Sequence, residues 1–371
     1  MLILAAILAI FVYGMIAAML GTILPDLSKK FSLSPKQNGT IAMLQAIGLV
    51  IASISVGPLI DTQGKKIGIV IGLALVAVAL FALPKSKGYG SILAYIFILG
   101  IGGGIIVTGA NAIASDIDEA RRGSVLNFLN LFFGLGGLAT PFISANLLSR
   151  DSVKLCYLTA FLTVLTLGVN LIAPIPGAAA VASAGPNFGE LLSSPMLLML
   201  SLMLFLYVAA EVGVWNWLVR HLVAQGIPES KALNTLSLGF ALGLLLGRVA
   251  VSPILISVPA KHVTLAASVI MAITTFMMLR ARTPVNAGIW VFLAGIAMAP
   301  MFPTTLAMIG DNFKTGSATA MGIAITCGWL GLVASSPVIG GIAGEDPRKL
   351  KSALLLLPAA SVALVLVNLA L

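Results

Sequence analysis

Histidine and cysteine are almost missing from this chain: its 371 residues hold two of each. Acids are scarce too, twelve against twenty-one Lys and Arg, and charged residues make up only 9%. These shortages exclude whole classes of chemistry. No H-E-x-x-H, Cys-x-x-Cys or Ser-His-Asp set can be assembled around His221 and His262, so the chain reads as a non-enzyme without a metal site. Cys156 and Cys327 both lie in apolar runs, where cysteine serves as a small packing residue and not as part of a disulfide framework. The triplet Gly102-Gly103-Gly104 has no Lys-Ser or Lys-Thr after it and reads as close helix packing, not a phosphate loop. No nucleic-acid partner is expected.

What is abundant is apolar length. The composition is 59% hydrophobic with a mean hydropathy of +1.11, far outside the range of soluble domains. Cutting the chain at charges, glycines and prolines leaves twelve spans, near 3–24, 38–60, 67–83, 91–113, 123–147, 153–173, 195–219, 232–255, 262–279, 285–308, 316–341 and 351–371. At ~1.5 Å per residue each can cross most or all of a ~30 Å hydrocarbon core. The expected fold class is therefore an all-α membrane protein whose first partner is the lipid bilayer. The first span carries no basic leading segment and no small-residue cleavage site, so it is expected to be a retained helix.

The chain also repeats itself. Tyr13 and Tyr207 lie 194 residues apart, as do Gly134 and Gly328, and Gly137 and Gly331. Asp116 and Asp311 are separated by 195 and Pro141 and Pro337 by 196. A shared offset implies two six-helix parallel pseudo-repeats related by an axis along the membrane normal. The expected organisation is a bundle over 1–173, a linker over 174–194 rich in Ala, Gly, Ser and Pro, and a second bundle over 195–371.

Between the second and third spans stands Gly57-Pro58-Leu59-Ile60-Asp61-Thr62-Gln63-Gly64-Lys65-Lys66, a polar hinge too short to be a solvated loop. Its pattern, G-x-x-x-D-x-x-G-[RK]-[RK], resembles the loop between helices 2 and 3 of the major facilitator superfamily. Further stretches are similar to the fucose, hexose and galactose permeases of that superfamily: Tyr207-x-x-x-Glu211 in span 7, Phe302-Pro303-Thr304 in span 10, and Gly247-Arg248 in span 8. The resemblance implies a transporter working by alternating access. Where proton-coupled members of that branch place acids in helices 1 and 4, this chain has Gly21 and Val107.

Two ionisable residues fall deep in spans, Glu211 and Arg248, and such groups are functional candidates by default because their burial in lipid is costly. Counting from span ends puts them about ten ångströms apart in depth, which speaks against a direct pair. Glu211 is read either as a ligand contact and ion-coupling group or as a structural carboxylate. For Arg248 the reading is structural or gating, with Asp311 as its partner. Asn127, Asn130, Gly134, Gly137 and Pro141 share one helix face, as do Gly104, Thr108 and Asn111. The candidate substrate contacts are Gln45, Thr108, Asn111, Asn127, Asn130, Glu211, Trp215, Asn216, Trp290, Thr304, Thr326 and Trp329. The candidate gating residues are Gly57, Asp61, Gly64, Lys65, Arg248 and Asp311, with Asp61 expected at the first turn of span 11 near Gly316 and Ser317.

Amides, a carboxylate and indoles suit a ligand with many hydroxyls and an apolar ring face. The expected function is thus secondary active or facilitative transport of a small polar solute, a monosaccharide above all, with sodium or protons coupled through Glu211 and no cofactor beyond that ion. An exporter of amphipathic compounds and a non-transporting receptor stay open as alternatives. A monomer is expected.

Orientation sets two arguments against each other. Odd-numbered connections carry fourteen Lys and Arg against five acids, even-numbered ones six against six, so the net charge of +9 sits on one face. The positive-inside rule places that face in the cytoplasm. The resemblance places the Asp61 hinge, and hence both termini, there instead. It is the resemblance that is followed: cell (inner) membrane, termini cytoplasmic.

Overall fold

The computed structural model describes residues 1–149, 151–175, 188–344 and 347–371. Arg150, Glu345 and Asp346, counted above in the charge bias, lie outside them, as does most of the expected linker. Among the described residues there are twelve helices long and apolar enough to cross a membrane, and no strand. They are α1 (Leu2–Phe31), α2 (Gln37–Gln63), α3 (Lys65–Lys85), α4 (Tyr89–Ser115), α5 (Glu119–Asn146), α6 (Ser152–Ile172), α7 (Pro195–Ala224), α8 (Glu229–Ser257), α9 (Ala260–Met278), α10 (Pro284–Asn312), α11 (Ser317–Ala343) and α12 (Lys349–Ala370). All twelve expected spans are present, most of them longer by several residues than apolar length alone suggested.

Local sequence explains where the helices start and stop. Ser34 opens α2 with a reciprocal capping box to Gln37, while Ser194 and Thr283 accept from the backbone N–H groups of Leu197 and Asn286. Asp151 caps α6 by accepting from the N–H groups of Val153 and Lys154, and the bond from Lys154 holds its carboxyl below the usual carboxylate range. Gly64, at φ 98°, makes the one-residue break between α2 and α3, a conformation that favours glycine. Large apolar side chains such as Val78, Phe142, Phe161 and Val285 remain exposed, as lipid-facing positions require.

Contacts divide the chain into two compact units. The first comprises Met1–Glu119, Leu129–Leu191 and Phe313–Thr326; the second comprises Ala120–Phe128, Leu192–Asn312 and Cys327–Leu371. Membership follows the expected halves except at two places: the start of α5 belongs to the second unit, and the first third of α11 to the first.

The internal repeat is visible in how backbones touch. In the first unit a β-carbon on Gly48 would run into the backbone of Phe97, Gly100 and Ile101. In the second, a β-carbon on Gly243 would meet Phe292, Gly295 and Ile296, every one of them 195 residues further on. Gly136 lies against Phe11 and Met15, and Gly331 against Phe205 and Ala209. Small residues are what let membrane helices approach this closely. One departure from regular helix has no counterpart among the described residues of the first unit: Thr235–Ala241, within α8, forms a π-helical turn.

Candidate functional site

Polar side chains gather in three places. The first lies in the first unit, where the C-terminal end of α2 meets the beginning of α11. One Asp61 carboxylate oxygen accepts from the N–H of Ala318 at 3.2 Å, and the other from the N–H of Thr319 at 2.8 Å and its hydroxyl at 2.6 Å. The anion thus sits on the N-terminal turn of a helix, where unpaired N–H groups and the macrodipole favour it. Its partners lie two residues beyond the expected Gly316 and Ser317. Gly57 makes the contact possible, since a β-carbon there would overlap the backbone of Thr319 and stand 2.8 Å from the Ala318 carbonyl oxygen. Gly322, one turn further along α11, sits equally tight on the Ser53 carbonyl. Around this junction Lys65 pairs with Asp116, Lys66 donates to the Ala173 carbonyl at 3.2 Å, and Lys314 pairs with Glu119 at 2.8 Å.

The second place is the corresponding end of the second unit. Asp311, at the close of α10, is paired with Arg122 of α5, which is 3% exposed. The expectation that Arg248 would tie down Asp311 is therefore replaced: Arg122 stands at the start of α5 and takes the carboxylate, while Arg248 lies elsewhere on α8. Leu255 of α8 packs its side chain on Gly123, 3.3 Å from that glycine's notional β-carbon.

The third group lies deeper in the spans. In the second unit the buried Tyr207 hydroxyl makes no hydrogen bond, and Glu211 and Arg248 are the charged groups whose fields reach it. Glu211 is one turn from Tyr207 on α7. Arg248 lies at nearly the same depth as Tyr207, being nineteen residues from the start of α8 where Tyr207 is seventeen from the end of α7. The depth argument about a direct Glu211–Arg248 pair did not consider Tyr207, whose buried hydroxyl lies in the field of both groups. Trp215, one turn past Glu211, meets Phe240 of the π turn edge to face at 5.2 Å.

The expected amides divide between the units. Asn130 donates to Asn111 at 2.9 Å in the first unit, and Asn127 donates to the Thr304 hydroxyl at 2.9 Å in the second. Thr108 and Thr326, both buried in the first unit, carry hydroxyls with no hydrogen-bond partner. Gly322 brings α11 to within 3.8 Å of the Thr108 side chain, measured from its notional β-carbon. Gln45 is half-buried and offers its backbone to Gly100; Trp290 and Trp329 are half-buried, and Asn216 is exposed on α7. Tyr13, the repeat partner of Tyr207, stacks on Phe133 at 5.3 Å. Sequence reasoning quoted Tyr207 without assigning it to the site, and it missed Thr319 and Arg122. Only Tyr207 had a usable signal, its i, i+4 spacing from an intramembrane acid.

Two bundles built on one repeat, with an acid, a base and amides inside twelve membrane spans, define a membrane carrier. The chain belongs to the Major Facilitator Superfamily, which residues 6–336 match. It is an integral membrane transporter of small molecules and not an enzyme.

Protein TsgA of Escherichia coli O157:H7 is 24% identical to it over 339 residues, spanning 89% of this chain and 84% of that protein. Among solved structures, the fucose:proton symporter FucP of E. coli superposes with a TM-score of 0.85 at 18% identity, covering 99% of this chain and 97% of that one. The human organic anion transporter MFSD10 superposes at 0.82 and 15% identity, covering 99% and 98%. At these identities the structures show a shared fold.

Proposed function

We propose that this transporter carries a small neutral polyhydroxylated solute, with a monosaccharide as the first candidate, by alternating access in a cell (inner) membrane. The observation that carries the reading is that one acid and one base, Glu211 and Arg248, are the charged groups around the buried, unpartnered Tyr207 hydroxyl. With one acid and one base in that region the net charge is zero, so a ligand meets mainly neutral polar groups: amides, threonine hydroxyls and indole edges. The buried, unpartnered hydroxyls of Thr108 and Thr326 support this, because such groups cost about 1–3 kcal/mol unless a ligand or water completes them. FucP, a fucose:proton symporter, is a structural neighbour in keeping with this reading. An organic anion, the cargo class of MFSD10, would instead want a base free of its carboxylate.

Coupling, in this reading, runs through Glu211. A sodium ion would have to share the carboxylate region with the Arg248 guanidinium, whereas a proton neutralises the acid without adding a second cation nearby, so the proton fits better. Glu211→Gln is expected to abolish gradient-driven accumulation in proteoliposomes while counterflow exchange persists. A mutant that still concentrates substrate moves the coupling elsewhere, and a wild type that never concentrates any sugar under either gradient makes the chain a uniporter. Both termini and the Asp61 junction are placed in the cytoplasm. Thiol labelling of cysteines introduced at Lys85 and Lys87 should then come from the outside, and labelling from the inside reverses the assignment.

A further inference from the structure

The opposite end of the first unit, away from Asp61, holds a recess of about 350 Å³ where the last turns of α1, the end of α3 and the first turn of α6 meet. We propose that it binds an anionic glycerophospholipid. The floor is apolar and buried, made by Ile23, Leu27, Leu83 and Cys156. Its rim carries Lys29, Lys30 and Asp26, all exposed. The volume lies within the ~300–1,000 Å³ of small-ligand sites.

Helix length puts the rim at the right depth. α1 has 30 residues, about 45 Å at ~1.5 Å per residue, against a hydrocarbon core of ~30 Å. Its last turn, with Lys29 and Lys30, therefore stands in the headgroup layer, and Ile23 and Leu27 form the recess floor below it at acyl-chain depth. A phospholipid has the same order of parts, with phosphate outermost and methylenes below it.

Charge decides the class of headgroup. Lys29 and Lys30 face the recess with one carboxylate, Asp26, between them, and Lys85 follows the lining residue Pro84 directly in sequence. The other nearby acid, Asp151, is engaged, capping α6 and pairing with Lys154 at 3.4 Å. Since Asp151 already takes the N–H groups of Val153 and Lys154, the phosphate is held by the two lysines and not by the start of α6. A free phosphate ion would satisfy the lysines but leave the apolar floor unused.

The test is native mass spectrometry of the full chain in detergent with equal amounts of phosphatidylglycerol and phosphatidylethanolamine. Phosphatidylglycerol should be retained at least about fivefold over phosphatidylethanolamine. Lys29→Gln with Lys30→Gln should bring the two lipids to parity, whereas Arg282→Gln with Lys349→Gln, on odd-numbered connections of the second unit, should preserve the preference. Val153→Trp, which narrows the mouth, should lower retention of both lipids. Equal retention in the wild type, an unchanged preference in the double lysine variant, or full retention in Val153→Trp would each overturn the proposal. Displacement of the lipid by excess inorganic phosphate would also overturn it, by assigning the lysines to a free anion.

Discussion

At one end of each unit a helix terminus rests on the start of another helix, and the two junctions are made of different material. In the first unit Asp61 of α2 accepts three hydrogen bonds from Ala318 and Thr319 of α11. In the second, the residue 195 positions further on is Ile256 of α8, and its neighbour Leu255 packs on Gly123 of α5. The polar junction is directional: it holds in one geometry and can exchange its bonds for water when the helices part. The apolar one tolerates sliding, because dispersion contacts have no preferred direction. Equivalent acids differ as well, since Asp116 is held by Lys65 of α3 and Asp311 by Arg122 of α5. One repeat thus ends in a directional polar junction, and the other in apolar packing with an ion pair beside it.

The largest expected effect comes from Gly57→Ala. Its β-carbon meets backbone atoms of Thr319 and Ala318, which cannot turn aside as a side chain could, so overpacking on the order of 3 kcal/mol opposes the closed junction. Initial transport rates should fall by about a hundredfold while the protein still reaches the membrane. A variant with wild-type rates would show that the junction need not close. Asp61→Asn should act in the same direction but less strongly. It keeps the size of the side chain and loses charge-assisted bonds worth roughly 1.5–3 kcal/mol. Thermal unfolding should stay near that of the wild type while transport slows by about tenfold; unchanged rates in the folded variant would remove Asp61 from the cycle. Gly123→Ala should do least. There the new carbon meets the Leu255 side chain, 3.3 Å at closest, and that side chain can turn away. Stability should shift by no more than about 0.5 kcal/mol, and a loss comparable to that of Gly57→Ala would erase the distinction between the two junctions.

The helices were legible in the sequence because apolar length and an internal offset of 194 to 196 residues survive whatever the tertiary structure does. The contact of Asp61 with the start of α11 was legible to within one turn, because a carboxylate on a short hinge has few places to go and a helix N-terminus is one of them. Three things were not. Counting depth from span ends compared Glu211 with Arg248 and overlooked the buried Tyr207 hydroxyl in the field of both. The Asp311 partner was hidden because Arg122 reads as an ordinary loop cation until α5 is known to begin at Glu119. Membership of compact units was hidden too, since α5 and α11 each pass from one unit to the other, and nothing in their apolar runs marks Leu129 or Cys327 as a boundary.

The π turn of α8 keeps three glycines in phase. Gly239, Gly243 and Gly247 all face α10, against Val291, Phe292 and Ile296 respectively, yet they recur every fourth residue. In an unbroken α-helix that spacing drifts, and the third glycine would end about 80° round the axis from the first. The wider turn at Thr235–Ala241 takes much of that rotation back. The same correction sets the azimuth of everything downstream, including Arg248. Tightening the turn to ordinary helix with its residue count unchanged would rotate everything beyond it about the helix axis, so a feature of backbone winding decides which way the intramembrane base points.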